Sequence, residues 1–318
     1  MSQFRFAIFT FGSEFSDTLN NQMLSRWIKA ARPRTLPLSL SCIFMGGFLA
    51  ADAGEFDSAI FGLCVLTTIF LQILSNLSND YGDSVHGADS IEREGPSRAV
   101  QSGEISPAAM KSAMILFALL SLVAGLMLLY VAFGFERLFW VFLALGALAI
   151  VAAITYTSGK RPYGYAGLGD ISVLLFFGFV GVGGTYFLFT QSLTTDVLLP
   201  ALSCGLFSVG VLNVNNIRDI ESDRLAGKKS IPVRIGKENA VKYHWLLLMS
   251  GFISSVVYVL LNFSTYYQFL FIVSLPLLIV NGMAVSNKTT SAELDPYLKQ
   301  LALTTLFFVL SFGVGMIL

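Results

Sequence analysis

The sequence predicts an all-α, polytopic membrane protein with nine transmembrane helices and its N-terminus in the cytoplasm. Three observations predict it. Hydrophobic residues make up 55% of the chain and charged residues only 13%, about half the charged share of an ordinary soluble domain, and the mean hydropathy is +0.71. The apolar residues gather into nine runs, each near the roughly 20 residues that cross a bilayer as a helix. The basic residues are sorted between the gaps separating those runs. Formal net charge is zero, so bulk charge says nothing of a nucleic-acid partner, and none is expected.

In chain order, residues 1–22 are Phe-rich but broken by Arg5, Glu14 and Asp17. With no clean apolar stretch and no small-residue cleavage site, they read as an N-terminal extension, a candidate for disorder, rather than a signal peptide. Met23 is an alternative start, and residues 23–318 read as a single transmembrane domain. From Met23 to Arg34, Leu24, Trp27, Ile28 and Ala31 share one helical face while Arg26, Lys29 and Arg32 lie mostly on the other. That pattern predicts a helix lying at the membrane surface. The expected spans are 36–52, 59–79, 109–132, 137–157, 168–189, 197–217, 240–261, 266–286 and 298–318.

Orientation follows from Lys and Arg. With the N-terminus inside, the segments before span one and after spans two, four, six and eight face the cytoplasm. Of the 20 basic residues only Arg137 falls on the other side, a strong form of the positive-inside rule. The connections 53–58, 133–136, 190–196 and 262–265 are short, whereas 80–108 and 218–239 are long and cytoplasmic. Function is expected on the side of the long loops.

Two acidic stretches stand out there. Asn76-Leu-Ser-Asn-Asp-Tyr-Gly-Asp83 follows the second apolar run, with Asp89 beyond it. Asn76, Asn79/Asp80 and Asp83 fall at i, i+3/i+4 and i+7, one face of a helix. At the end of the sixth run, Asn215, Asp219 and Asp223 are spaced i, i+4, i+8, again one face. The two stretches lie four spans apart, which points to parallel repeats that bring them opposite each other. Oxygen ligands without His or Cys favour a hard cation, Mg²⁺ over zinc. Mg²⁺ usually binds through a few carboxylates plus substrate phosphates. Arg93 and Arg98 near the first stretch, and Arg218, Lys228, Lys229 and Arg234 near the second, suit phosphate oxygens.

The pattern Asn-x-x-Asn-Asp-Tyr-x-Asp-x-x-x-Gly-x-Asp over 76–89, with Asn-x-x-Arg-Asp-x-x-x-Asp over 215–223, resembles the UbiA superfamily of membrane prenyltransferases. Trp27–Pro37, Gly95–Gly103, Tyr163–Asp170 and Lys229–Gly236 resemble its 1,4-dihydroxy-2-naphthoate branch, and the likeness spans about residues 26–318. It implies nine helices around a central cavity with the aspartate motifs at its cytoplasmic mouth, in the cell (inner) membrane. It also implies Mg²⁺-dependent transfer of a polyprenyl group from polyprenyl diphosphate to dihydroxynaphthoate, with loss of CO₂ and diphosphate, giving demethylmenaquinone in its quinol form. Asn76, Asp80, Asp83, Asn215, Asp219 and Asp223 would hold the metal. Arg93, Arg98, Lys160, Arg218, Lys228 and Lys229 would hold the diphosphate. Tyr156, beside Lys160, matches a tyrosine position of related enzymes and would face the developing allylic cation. Asp89 departs from the commoner spacing, standing six residues after Asp83 rather than four. 4-Hydroxybenzoate, homogentisate and chlorophyllide-type rings stay open as acceptors. A secondary transporter is a further alternative, though its binding groups would sit near the midplane.

The remaining features read as structure. Cys42, Cys64 and Cys204 lie in apolar runs as small hydrophobes. Gly178, Gly181, Gly183 and Gly184 serve close helix packing. His86 reads as a solvated loop residue and His244 as an interface residue.

Overall fold

A computed structural model of the chain describes residues 23–86 and 98–318. Asp89 and Arg93 lie outside the described residues, as do residues 1–22 and the side chain of His86. Every regular element among the described residues is helical. A surface helix α1 (residues 23–31) ends where Arg32 takes a left-handed φ of 50°, and a tight turn at Pro33–Thr35 starts α2 (Leu36–Asp52). Met23, Leu24 and Ile28 stay exposed on α1, as an interfacial helix requires.

There follow α3 (Ser58–His86), α4 (Pro107–Phe133), α5 (Arg137–Thr155) and α6 (Gly169–Thr190). Then come α7 (Leu198–Arg218), the short α8 (Ile220–Leu225) and α9 (Ile231–Ile235), α10 (Lys237–Leu261), α11 (Tyr266–Asn287) and α12 (Ser291–Ile317). Nine of the described helices, counting α1 and α2 as one, are long and apolar enough to cross a membrane. They coincide with the nine runs expected from the sequence.

Local chemistry sets the starts. The Asp57 carboxylate accepts from the amides of Ala59 (2.7 Å) and Ile60 (2.9 Å) and so caps α3. Ser106 caps α4, with Pro107 at its first position. Two helices run longer than expected. α3 continues through His86, so the first acidic stretch is helical throughout. α12 begins at Ser291 rather than 298, because Thr290 and Glu293 form a reciprocal capping box and Pro296 is tolerated near the start.

The helices pack into one connected bundle. α3, α4 and α5 make one side; α6 and α7 pack together; α10 and α12 flank α7; α12 closes on α2. Gly178 in α6 permits the α6–α7 contact, since a Cβ there would sit 2.7 Å from the Ala201 carbonyl oxygen. Gly181 does the same against Cys42 on α2. Gly183 and Gly184 have no such neighbour. The segment Leu174–Gly184 is a π-helix, a departure from α periodicity that hydropathy alone does not reveal. All three cysteines are free and buried. His244 is not at an interface with water. It is fully buried, with Nε2 2.9 Å from Asn281 Oδ1, because α7 and α11 close over that face of α10.

Candidate active site: two acidic helix ends joined by loops

The first face is carried by the last turns of α3. Asp80 and Asp83 are 1% and 4% exposed, so each carboxylate must be matched by donors or cations. Asp80 accepts from the backbone amides of Ala99 and Val100, each at 3.1 Å, and thereby folds the loop after residue 97 back onto α3. That loop delivers Arg98, whose guanidinium reaches Asp83 at 2.6 Å. Asp83 also accepts from the Tyr165 hydroxyl at 2.8 Å.

Gly82 lets the chain following α5 lie against this turn. Thr157 Oγ1 donates to Ser78 O (3.0 Å) and approaches Asn79 Oδ1 (3.1 Å). Asn76 faces the same way, but its amide donates to Ala31 O (2.8 Å) and Thr35 Oγ1 (2.9 Å) and its oxygen accepts from Gln72. Expected among the metal ligands, Asn76 also ties α3 to the turn between α1 and α2 through its amide donors.

The second face begins at the end of α7. Asp219 terminates that helix, and the chain restarts as α8. Arg218, 4% exposed, turns its guanidinium along this face. Its Nε and Nη2 donate to the two oxygens of Asp219 (2.8 and 2.7 Å), Nη2 also reaches Asn215 Oδ1 (3.0 Å), and Nη1 pairs with Asp295 on α12 (2.5 Å). Arg218, expected to hold diphosphate, also orders Asn215 and Asp219 from this position. Asp223 pairs with Lys228 (3.1 Å) and accepts from the Ser230 hydroxyl (3.3 Å).

Two loops join the faces. In the segment 156–168, the Tyr165 carbonyl accepts from the Lys229 amide at 2.9 Å while its hydroxyl binds Asp83. Gly167, at φ 86°, passes so close that a Cβ would stand 2.5 Å from the Lys229 carbonyl oxygen; only glycine satisfies both conditions. Lys228 is brought between the faces, within electrostatic reach of Asp223, Asp83 and Tyr156. Its burial works against its charge, but those acids outweigh it and hold the ammonium above the usual lysine value. Burial pushes the Asp223 carboxyl above the usual carboxylate range. Lys228 pulls it back, while Asp219 and Asp83 add to the rise. The acids of the two stretches thus feel one another.

Tyr156 stands at the same junction, its hydroxyl 2.8 Å from where a Cβ on Gly169 would be, and its ring meets Tyr163 edge-on at 5.3 Å. The side chains of Lys160, Lys229 and Arg234 are exposed at the rim. Sequence reasoning missed Tyr165, Ser230 and Asp295. Tyr165 and Ser230 lie within blocks that carry the family likeness; nothing local marks Asp295.

Asp80, Asp83, Asp219 and Asp223 thus present buried oxygen donors balanced by Arg98, Arg218 and Lys228. Among the described residues, no three His, Cys, Asp or Glu converge as a preformed metal cage. Paired carboxylates short of a cage fit Mg²⁺, which takes a few protein carboxylates and completes its shell with water and phosphate.

Membrane-length helices with buried acidic and basic groups gathered at their ends define a polytopic membrane protein with a candidate cation- and phosphate-binding site. The family model for UbiA prenyltransferases matches residues 39–303, and the chain belongs to that family. It is 42% identical over 305 residues to the 1,4-dihydroxy-2-naphthoate octaprenyltransferase of Haemophilus influenzae, covering 95% of this chain and 99% of that one. It is 43% identical over 299 residues to the enzyme of the same name from Escherichia coli K12, with 92% and 97% covered. The fold matches a UbiA homolog from Aeropyrum pernix K1 (TM-score 0.64, 16% identity, 89% of this chain and 96% of that one). It also matches a UbiA homolog from Archaeoglobus fulgidus bound to DMAPP and Mg²⁺ (TM-score 0.61, 18% identity, 92% and 99%). The protein is an integral, multi-pass membrane prenyltransferase.

Proposed function

We propose that this protein transfers a polyprenyl group from polyprenyl diphosphate to 1,4-dihydroxy-2-naphthoate, releasing diphosphate and CO₂, on the cytoplasmic face of the cell (inner) membrane. The observation that carries the donor half is the meeting of two acidic faces around Arg98, Arg218 and Lys228. Acids alone would bind a metal, and bases alone would bind an anion. Both together suit a metal-bound diphosphate. The acceptor half rests on the names of the curated relatives, and the sidedness on the sorting of Lys and Arg.

Asp83, Asp219 and Asp223, with Asp80 behind them, would hold Mg²⁺, which when bound supplies the charge that makes diphosphate a good leaving group. Arg98 and Lys228 are placed to exchange a carboxylate for phosphate oxygens as the donor enters. Lys229 and Lys160, free of the acidic pairs at the rim, steer the anion inward. Tyr165 keeps Asp83 in register with the Lys228 loop. The Tyr156 ring, beside this junction, stabilises the allylic cation until the electron-rich ring attacks it. The test is a Mg²⁺-dependent assay on membranes with a polyprenyl diphosphate and competing naphthoate and benzoate acceptors. The expected product is the prenylated naphthoquinol; prenylation of the benzoate alone overturns the acceptor assignment.

A further inference from the structure

Asp295 lies in the first turns of α12, the last span, nowhere near either acidic stretch in sequence. Its Oδ1 receives Arg218 Nη1 at 2.5 Å and its Oδ2 receives Arg34 Nη1 at 3.4 Å. Four residues earlier, the Ser291 hydroxyl donates to the Arg218 carbonyl at 2.8 Å. The start of α12 thus grips Arg218 by both main chain and side chain. The Arg218 side chain is 2% exposed, against 29% for Asp295, so the pair is buried from the Arg218 side and reached by water only from the Asp295 side.

The guanidinium has a fixed planar fork. Nε and one Nη2 proton go to Asp219, the other Nη2 proton goes to Asn215, and Nη1 goes to Asp295. With Nη1 anchored from outside, the fork cannot rotate, and Asp219 and Asn215 keep one orientation toward the Asp83–Lys228 side. Asp295 also supplies a second negative charge to Arg218. Asp219 then need not neutralise the arginine alone, and it retains capacity for a cation.

We infer that Asp295 is a positioning residue: it locks the Arg218 fork from the α12 side and thereby sets how readily Asp219 takes up the metal–diphosphate. The inference rests on the reading of Asp219 as part of that site. Arg34 adds an outer link from the first span, but it is exposed and longer, so it contributes little.

The test uses the full-length protein in detergent and two readouts. The first is the Mg²⁺ concentration at which a non-reacting polyprenyl thiolodiphosphate raises the unfolding temperature. The second is steady-state transfer. Asp295→Ala is expected to raise the half-saturating Mg²⁺ in both, and the KM for prenyl diphosphate, roughly five- to tenfold, the scale of one charge-assisted hydrogen bond reached by water. The KM for the aromatic acceptor and the kcat at saturating Mg²⁺ stay within about twofold. Asp295→Asn, which keeps one oxygen acceptor for Nη1, recovers most of the loss, and Arg34→Gln matches the wild type. An unchanged Mg²⁺ midpoint in Asp295→Ala overturns the inference. So does an Asp295→Asn protein that folds like the wild type yet is as impaired as the alanine variant. If Asp295→Ala does not fold, the comparison of Asp295→Asn with the wild type decides, a Mg²⁺ midpoint raised about twofold supporting the lock and an unchanged one refuting it. A wild-type protein whose binding of the thiolodiphosphate ignores Mg²⁺ refutes the underlying metal–diphosphate reading instead, and is thereby distinguished.

Discussion

Gly82 sits one residue before Asp83, and its missing side chain is a sharp test of the site's construction. A Cβ there would stand 2.5 Å from the Thr157 carbonyl oxygen, 2.6 Å from its carbon and 2.7 Å from Oγ1, where ordinary contact begins at 3.4 Å. Two of these atoms are main chain, so no rotamer change relieves the clash. In Gly82→Ala, α3 and the chain after α5 must part by roughly 0.9 Å, the difference between those contacts. The Thr157 hydroxyl bond to Ser78 O, now 3.0 Å, then stretches beyond the hydrogen-bond range. Overpacking of this kind costs about 1–3 kcal/mol, which lowers the unfolding temperature by a few degrees. Asp83 moves with Gly82 and loses alignment with Arg98 and Tyr165. A misplacement near 1 Å can cost about a hundredfold in rate, so we expect turnover to fall ten- to a hundredfold. The assay is the initial rate of Mg²⁺-dependent prenyl transfer beside thermal unfolding in detergent. Wild-type turnover with an unchanged unfolding temperature would refute the argument that this contact sets the first acidic face.

Other predictions follow from the same geometry. Tyr165→Phe removes the 2.8 Å bond to Asp83, a charge-assisted bond worth about 1.5–3 kcal/mol; transfer should drop at least tenfold, and a drop under twofold would show that this bond does not set the position of Asp83. Asp219→Asn should abolish transfer while the fold persists, because Arg218 keeps its Asp295 partner; retained turnover would remove Asp219 from the site. Lys228, held above its usual value by Asp223 and Asp83, contributes stability that is fully present below the unfolded lysine value of about 10.4 and is lost as pH rises through the higher folded value. The wild type should therefore lose stability at alkaline pH more steeply than Lys228→Met, read as unfolding temperature against pH; parallel curves would refute the coupling.

Much of this was legible in the sequence, for identifiable reasons. Bilayer thickness fixes helix length, so nine apolar runs gave nine spans. Helical periodicity put Asp80 with Asp83, and Asn215 with Asp219 and Asp223, on common faces. What was not legible depends on partners remote in the chain. Asn76 has the spacing of a ligand, but nothing local shows that its amide donors reach Ala31 and Thr35, more than 40 residues away. Arg218 reads as a phosphate-binding base, but its partner Asp295 on α12, 77 residues away, and its hold on Asp219 are not marked by any local pattern. Tyr165 lies in a glycine-rich loop whose path, fixed by Gly164 and Gly167, no periodicity encodes. The π-helical stretch of α6 has the same hydropathy as an α-helix and is set by packing against α2 and α7.

The central claim is that the two acidic faces act as one clamp on a metal-bound diphosphate. The measurement that tests it most directly is Mg²⁺-dependent binding of a non-reacting polyprenyl thiolodiphosphate, by titration calorimetry, to the wild type, Asp83→Asn and Asp219→Asn. The account predicts that each single substitution weakens binding at least tenfold, and that the double variant is scarcely worse than either, because half a clamp holds little. Wild-type affinity in either single variant, or two losses that simply add in the double variant, would contradict it.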